Sequence, residues 1–112
     1  MDCIFCGIAA GETGAEMIAE SDHAVAFRDR DATAPTHVLV IPRKHIASVD
    51  DMSRDAPHLA TELLRLCAEV ARVENVVDSG YRVVTNVGDD AGQSIYHVHF
   101  HVLGGRKLRE MG

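Results

Sequence analysis

The sequence predicts an α+β fold in which a five-stranded antiparallel sheet is combined with one long helix and a short N-terminal helix. Two observations support this prediction. Short β-rich segments lie on both sides of one stretch with a helical period, and polar or glycine-containing turns separate them. With 112 residues, of which 46% are hydrophobic, the chain suits a single domain spanning residues 1–112 around one core.

The N-terminal half of the chain predicts one short helix and three strands. Gly11 closes the helix or turn, and Ser21 and Asp22 form a tight connection between the first two strands. Pro42 stops the third strand. In chain order, the four segments are IFCGIAAGE, AEMIAES, HAVAFRD and THVLVIP.

The central segment, from about Asp55 to Glu74, changes to a helical period. Asp55 is the predicted N-cap of this long helix, and Pro57 suits its first turn. The apolar residues of the segment are spaced by three and four, which predicts one buried stripe. The stripe consists of Leu59, Leu63, Leu66, Val70 and Val73.

The C-terminal third of the chain predicts the last two strands. After the turn residues Ser79 and Gly80, YRVVTNV has strand character. The glycine-rich loop GDDAGQS follows, and IYHVHFHVL is the last strand before a polar, basic tail.

The last predicted strand contains three histidines at alternate positions. Because successive side chains of a strand point to opposite faces, His97, His99 and His101 share one face, and the apolar residues between them face the core. The outer two are about 13 Å apart on a straight strand. With zinc–nitrogen bonds of about 2.0 to 2.1 Å, two of the histidines can share a metal ion, but all three on an unkinked strand cannot comfortably converge on one. A neutral imidazole can instead attack phosphorus, while a purely structural role is the alternative.

The overall charge limits the classes of partner. A formal net charge of −6 argues against broad nucleic-acid binding but allows a small phosphate-bearing ligand. No apolar segment approaches the roughly 20 residues of a membrane-spanning helix. The N-terminus has no basic region followed by an apolar run. We therefore expect a soluble cytoplasmic protein that has neither a membrane nor a nucleic acid as a partner.

Three cysteines form two groups. Cys3 and Cys6 form a C-x-x-C pair, which can be half of a zinc site or a redox pair. Cys67 lies within the predicted long helix, where a small buried thiol that fills a core position is the favoured interpretation.

The segment GQSIYHVHFHVLGGR resembles the signature of the histidine-triad (HIT) superfamily, and specifically its Hint branch of nucleoside phosphoramidate hydrolases. The resemblance extends along nearly the whole chain, through the segments IFCGI, AFRDRDATAPTHVLVIPRKHI and YRVVTNVGDDAGQS. The resemblance implies a HIT-like fold and hydrolysis of purine nucleoside 5'-phosphoramidates, or related mixed anhydrides, to nucleoside monophosphates. It also implies a symmetric homodimer with a continuous ten-stranded sheet.

The resemblance further implies roles for individual residues. His99 attacks the α-phosphorus and carries the nucleotidyl group transiently, whereas His101 and Ser94 contact the phosphate and the leaving group. His37 lies beside the triad and orients an imidazole. The other implied nucleotide-binding residues are Asp29 at the ribose hydroxyls, Asn86 near the phosphate, and Gly92 and Gln93 in a loop whose backbone supplies N–H donors.

Several features leave alternatives open. Asp29 can instead be a solvated turn acid, and Asn86 a turn former. Arg30 replaces the apolar residue that the Hint branch often has after the ribose acid, so the base preference is open. The tail after Gly105 lacks the Trp-containing ending of animal Hint proteins, so the leaving-group preference is open as well.

The resemblance also suggests a metal site. In related galactose-1-phosphate uridylyltransferases and some bacterial HIT proteins, a C-x-x-C pair joins two histidines. The matching residues here are Cys3, Cys6, His45 and His97, a set that suits structural zinc. Unliganded thiols are the alternative. Three further functions remain in competition with phosphoramidate hydrolysis: dinucleoside polyphosphate hydrolysis, nucleotide binding with incidental hydrolysis, and a zinc hydrolase.

Overall fold

Regular structure occurs in nine segments of residues 3–111, the part of the chain that the computed structural model describes. The helices are α1 (Ile4–Ala9), α2 (Val49–Asp55) and α3 (His58–Val73), with one 3₁₀ turn at Asp89–Ala91. The strands are β1 (Met17–Glu20), β2 (Ala24–Arg28), β3 (Thr36–Pro42), β4 (Tyr81–Val84) and β5 (Phe100–Gly104).

The five strands form one sheet in the order β1-β2-β3-β5-β4, and every neighbouring pair is antiparallel. The last strand along the chain therefore lies inside the sheet, between β3 and β4. In this register, His101 of β5 stands opposite Leu39 on one side and Val84 on the other. The predicted five-stranded α+β fold, with its long helix and short N-terminal helix, is confirmed.

The larger core lies between the sheet and α3. Leu59, Leu63, Leu66 and Val70 of the predicted helical stripe are buried there, and so is Cys67. Burial raises the pKa of the Cys67 thiol to about 12, which fits a core thiol rather than a ligand.

Val73, the last residue of the predicted stripe, is an exception. It is 47% exposed because it is the final residue of α3, at the end of the packed stripe. The next residue, Glu74, fixes this end of the helix by accepting two hydrogen bonds from the Arg28 guanidinium, at 2.9 and 3.1 Å. This pairing lowers the pKa of Glu74.

A smaller core covers the opposite face of the sheet beneath α1. It consists of Phe5, Ile8, Val25, Phe27, Leu39 and Ile41. The helix begins after Cys3, whose sulfur accepts the backbone N–H of Cys6 at 3.4 Å. Gly11, predicted to close this element, has a φ of +77°, a conformation that favours glycine.

The beginning of the long helix differs from the prediction. Asp55 is the last residue of a separate short helix, α2, and does not cap α3. Ser48 caps α2 and its hydroxyl donates to the Asp51 carboxylate at 3.0 Å. Pro57 disfavours helical backbone at the preceding residue, and Ala56 has a φ of −153°, which separates the two helices.

The last two strands are also shorter than predicted. β4 ends at Val84 instead of continuing to Val87, and β5 begins at Phe100 instead of Ile95. Residues 95–97 form a bend, and the N–H of Val98 donates to the carbonyl of Ile46, outside the sheet. Within residues 3–111, no helix combines the length and the apolar character needed to cross a membrane.

Candidate active site and metal site

The face with the three histidines is preserved although only His101 belongs to a strand. Val98, Phe100 and Val102 are buried in the core under α3, on the opposite face. His99 and His101 line a cavity of about 830 Å³, a volume in the usual range of small-molecule sites. Its apolar wall includes Phe5, Phe27 and Leu39, and its polar lining includes Asp29 and Ser94.

His99 has one ring nitrogen committed to the backbone. Its Nδ1 lies 2.8 Å from the carbonyl oxygen of His97, and because a carbonyl only accepts, Nδ1 carries the hydrogen. In the neutral ring, Nε2 then holds a free lone pair. The ring is 8% exposed and packs edge-on against Phe5, with 5.1 Å between the ring centroids. His99 is therefore a fixed imidazole whose unprotonated nitrogen is available to react.

His37 and His101 form a directed hydrogen-bonded pair. The backbone N–H of Thr33 donates to Nδ1 of His37 at 3.0 Å, so the hydrogen of this neutral ring lies on Nε2. That Nε2–H faces Nδ1 of His101 at 2.9 Å. The acceptor role of Nδ1 leaves the His101 hydrogen on Nε2. His101 can thus donate a hydrogen bond from Nε2 to a bound ligand.

Burial keeps both rings of this pair neutral near pH 7. The pKa of His101 is lowered to about 4, mainly by desolvation and to a smaller extent by the neighbouring His99 and His37, against the raising effect of Asp29. Desolvation likewise lowers the pKa of His37, again opposed by Asp29. The pair therefore offers neutral donors and acceptors and no fixed positive charge.

Asp29 immediately follows β2 and has both carboxylate oxygens in use. Oδ1 accepts the backbone N–H of Asp31 at 2.8 Å, as in an Asx turn. Oδ2 lies 3.2 Å from Nε2 of His37. Asp29 is thus a turn former and a member of the histidine network at once, and carboxylate oxygens retain further lone pairs for ligand hydroxyls.

The glycine-rich loop uses several of its polar groups for internal hydrogen bonds. The N–H groups of Gly92 and Gln93 donate within the loop, to the carbonyls of Asp89 and Gly88, both at 3.0 Å. The Gln93 side chain is 5% exposed and donates to the Ala47 and Ile95 carbonyls. Gln93 therefore braces the loop, and neither it nor Gly92 lines the cavity. Ser94 is the loop residue that does.

Asn86 is half-buried just beyond β4 and does not line the cavity. The preceding residue, Thr85, had no predicted role, yet its hydroxyl donates to the carbonyl of His99 at 2.8 Å. Phe5, which touches the rings of both His97 and His99, was also missed. Its position between the two cysteines of the C-x-x-C pair was the available signal.

Cys3, Cys6, His45 and His97 converge into a group that can hold a metal ion, with their ligand atoms within 4.8 Å of one another. Nδ1 of His97 lies 3.4 and 3.6 Å from the two sulfurs, and Nδ1 of His45 lies 3.3 Å from the Cys6 sulfur. Tetrahedral zinc with ordinary bond lengths places sulfur and nitrogen about 3.6 Å apart. The spacing therefore fits such an ion without large movement.

The tautomer of His97 also suits metal binding. Its Nε2 lies 2.8 Å from the carbonyl of Pro42, so Nε2 carries the hydrogen and Nδ1 turns its lone pair to the cysteines. His97 is fully buried, and desolvation lowers its pKa. Desolvation and the neighbouring Cys3 raise the pKa of Cys6, an effect that a bound cation opposes.

Asp29, His37 and His101 also lie close enough together to be considered as metal ligands. Coordination through Nε2 of His37 would move its hydrogen to Nδ1, where it would face the N–H of Thr33. A metal there would break an existing hydrogen bond and leave two donors opposed. A hydrogen-bonded chain accounts better for this group.

Comparison with known proteins gives consistent matches. A family model described as HIT domain matches residues 10–108. The purine nucleoside phosphoramidase of Escherichia coli K12 is 36% identical over 110 residues, which are 98% of this chain and 92% of that protein. An uncharacterized HIT-like protein of Azospirillum brasilense is 40% identical, over 96% of this chain and 89% of that one.

Solved structures match over nearly the whole chain as well. A histidine triad protein from Clostridium difficile has a TM-score of 0.94 and 37% identity, covering 100% of this chain and 97% of that one. A HIT family hydrolase from Legionella pneumophila has a TM-score of 0.91 and 42% identity, with 96% of each chain covered.

Proposed function

The chain belongs to the HIT domain family, and from this premise we propose that it hydrolyses purine nucleoside 5'-phosphoramidates, or related nucleotidyl mixed anhydrides, through a covalent intermediate on His99. The observation that carries the proposal is the tautomer of His99. Its Nδ1–H is held by the His97 carbonyl at 2.8 Å, which leaves Nε2 as the nucleophile beside the cavity.

In the first step, Nε2 of His99 forms a bond to the α-phosphorus as the bond between phosphorus and the leaving nitrogen breaks. The leaving nitrogen keeps the electron pair and takes up a proton that originates from solvent, so an amine departs. Nε2–H of His101 donates to the phosphoryl oxygen or to the leaving group, where negative charge develops. The Ser94 hydroxyl, in the same cavity, is a second donor.

In the second step, water attacks the phosphorus and the bond to His99 breaks. The water supplies one oxygen to the nucleoside monophosphate and returns one proton to solvent, which balances the proton taken up before. His99 recovers its neutral ring with hydrogen on Nδ1, since the His97 carbonyl holds that tautomer throughout. Thr85 stabilises the same segment through the His99 carbonyl.

The nucleoside is proposed to lie between the apolar wall and the loop after β2. Phe5, Phe27 and Leu39 offer an apolar surface for the base, and Asp29 offers lone pairs to the ribose hydroxyls. The choice of a purine rests on the name of the Escherichia coli relative. Asn86, half-buried just beyond β4, is proposed to act near the phosphate, although it does not line the cavity in the free protein.

Zinc is the proposed occupant of the Cys3, Cys6, His45 and His97 group. Two thiolates and two imidazoles form a closed set of four, which is typical of a structural site and leaves no position for substrate. The ion would tie α1 to the segment before β5. This arrangement disfavours a zinc hydrolase, because His99 and His101 lie outside the ligand set.

A second copy of this chain is the proposed partner. The two edge strands of the sheet differ, since β1 exposes one apolar residue, Met17, and the charged Glu20, whereas β4 exposes two apolar residues, Tyr81 and Val83. Pairing of two β4 edges would join the sheets into one of ten strands and cover these apolar side chains.

Intact-mass spectrometry of the quenched reaction tests the proposed function. With an adenosine phosphoramidate, the wild-type protein should give a nucleotidyl adduct that maps to His99, together with adenosine monophosphate as product. His99→Ala should lose the adduct and at least about a thousandfold in turnover. The exposed His23→Ala variant is the matched control and should keep both. Undiminished hydrolysis by His99→Ala would refute the proposed role.

A further inference from the structure

A single hydrogen, the Nε2–H of His37, has two acceptors. It faces Nδ1 of His101 at 2.9 Å and Oδ2 of Asp29 at 3.2 Å. The ring cannot satisfy this demand with a second hydrogen, because its Nδ1 accepts from Thr33. His37 is a buried residue of β3, so the hydrogen is shared between Asp29, the proposed ribose acceptor, and His101, the proposed donor to the phosphate.

Within residues 3–111, no lysine or arginine side chain forms an ion pair with Asp29. Its neighbour Arg28 is engaged by Glu74, at 2.9 and 3.1 Å, and by Glu16 at 3.3 Å. The other charged or titratable side chains that line the cavity around the pair are Glu16, Arg30, Asp31 and His99. In the free protein, the Asp29 carboxylate therefore draws on the same hydrogen that orients His101.

We propose that Asp29 couples recognition of the ribose hydroxyls to the orientation of His101, through the hydrogen that His37 shares between them. When ribose hydroxyls donate to Asp29, they replace the hydrogen bond that the carboxylate accepts from His37. The Nε2–H of His37 then donates to Nδ1 of His101 alone. This holds the His101 ring with its Nε2–H toward the phosphate. Asp29 is then both a ribose acceptor and a residue that positions His101. This inference rests on the proposed function and extends it.

The coupling predicts that the ribose hydroxyls raise kcat as well as lower KM. Measured with ribose and 2',3'-dideoxyribose forms of one phosphoramidate, kcat of the wild-type protein should be about three- to tenfold higher for the ribose form, the worth of one hydrogen bond. A ribose site that only binds would change KM and leave kcat unchanged.

His37→Asn separates the two effects. Its side-chain oxygen can replace Nδ1 as the acceptor for Thr33, but the shared hydrogen is lost. The ribose effect on kcat should vanish while the effect on KM remains. Asp29→Asn should weaken both effects, and Asp78→Asn, an exposed carboxylate outside the cavity, should change neither. An undiminished ribose effect on kcat in His37→Asn would overturn the coupling.

A measurement without turnover keeps this inference separate from the proposed function. In ¹⁵N-labelled wild-type protein, adenosine monophosphate should shift the His37 Nε2–H and His101 Nδ1 resonances toward a stronger mutual hydrogen bond. The 2',3'-dideoxy monophosphate should bind without that shift. Identical shifts with both nucleotides would overturn the coupling even if hydrolysis proceeds. The differential shift would support it even if phosphoramidates are not substrates.

Discussion

The carbonyl of His97 accepts the Nδ1 hydrogen of His99 at 2.8 Å, while Nδ1 of the same His97 side chain lies 3.4 Å from the Cys3 sulfur. One residue thus belongs to the group that can hold a metal and also fixes the tautomer of the proposed nucleophile. Phe5 makes a second connection, because it lies between Cys3 and Cys6 in sequence and packs against the His99 ring. The geometry of the candidate metal site and the orientation of the His99 ring therefore depend on the same two residues, His97 and Phe5.

Loss of the cysteine pair should remove the metal and destabilise the protein. In a Cys3→Ala/Cys6→Ala variant we expect zinc content to fall from about one ion per chain to a trace, and the free energy of unfolding to fall by more than about 2 kcal/mol. Elemental analysis and urea unfolding measure the two quantities. Cys67→Ala, a core thiol away from the site, should lose stability but keep its metal. Wild-type protein purified without chelators and lacking zinc would contradict the assignment.

Stability should fall as the pH falls from about 6.5 to about 4, in part because of His101. Burial lowers the pKa of this ring to about 4 in the folded state, below the ordinary value of 6.5. The unfolded chain therefore binds the proton first, and folding loses up to about 3 kcal/mol across this window. Urea unfolding at several pH values, with the metal site emptied by chelator throughout, measures the loss.

His101→Gln isolates this contribution, because glutamine does not titrate in the window. The variant should show a shallower decline in stability with falling pH than the wild type. His23→Gln, at an exposed position, should reproduce the wild-type decline. A His101→Gln variant with the full wild-type decline would assign the acid sensitivity to other groups.

Association should depend on the β4 edge. Val83 lies within that strand and is 37% exposed. A lysine at this position would place a positive charge from each copy at the shared edge, and the two charges would disfavour pairing. We expect Val83→Lys to sediment as a monomer at concentrations where the wild type is a dimer. Met17→Lys makes the same change on the opposite edge strand and should leave the dimer intact. Dimers of Val83→Lys as stable as the wild type would exclude this edge.

The alternation of histidines with apolar residues predicted the two faces correctly, because the side-chain period persists where the regular strand does not. The prediction extended β5 too far, since the hydrogen bond between Val98 and Ile46 depends on tertiary contacts that the local sequence does not reveal. Asp55 has the side-chain chemistry of an N-cap, but it is the last residue of α2. Ser48 caps α2 instead, and the extended backbone at Ala56 separates α2 from α3.

The tautomers of the candidate site lay beyond sequence-based prediction. They depend on contacts between residues far apart in the chain, such as the 64 positions that separate His37 from His101. Gln93 is a second example, because its hydrogen bonds join residues that are not adjacent in the chain. A polar residue in a glycine-rich loop suits ligand binding and loop bracing equally well, and only the buried contacts to Ala47 and Ile95 identify it as a brace.

The interior position of β5 has a consequence for synthesis of the chain on the ribosome. A nascent chain that ends before Phe100 lacks β5, the strand between β3 and β4, so β3 has an open edge, β4 has no partner strand, and Val38 and Val40 of β3 lose the neighbour that buries them. A strand can pair with its neighbours only after it has left the exit tunnel. Closure of the sheet must therefore wait until β5 has emerged, and the interval before it is when the nascent protein is most exposed to aggregation.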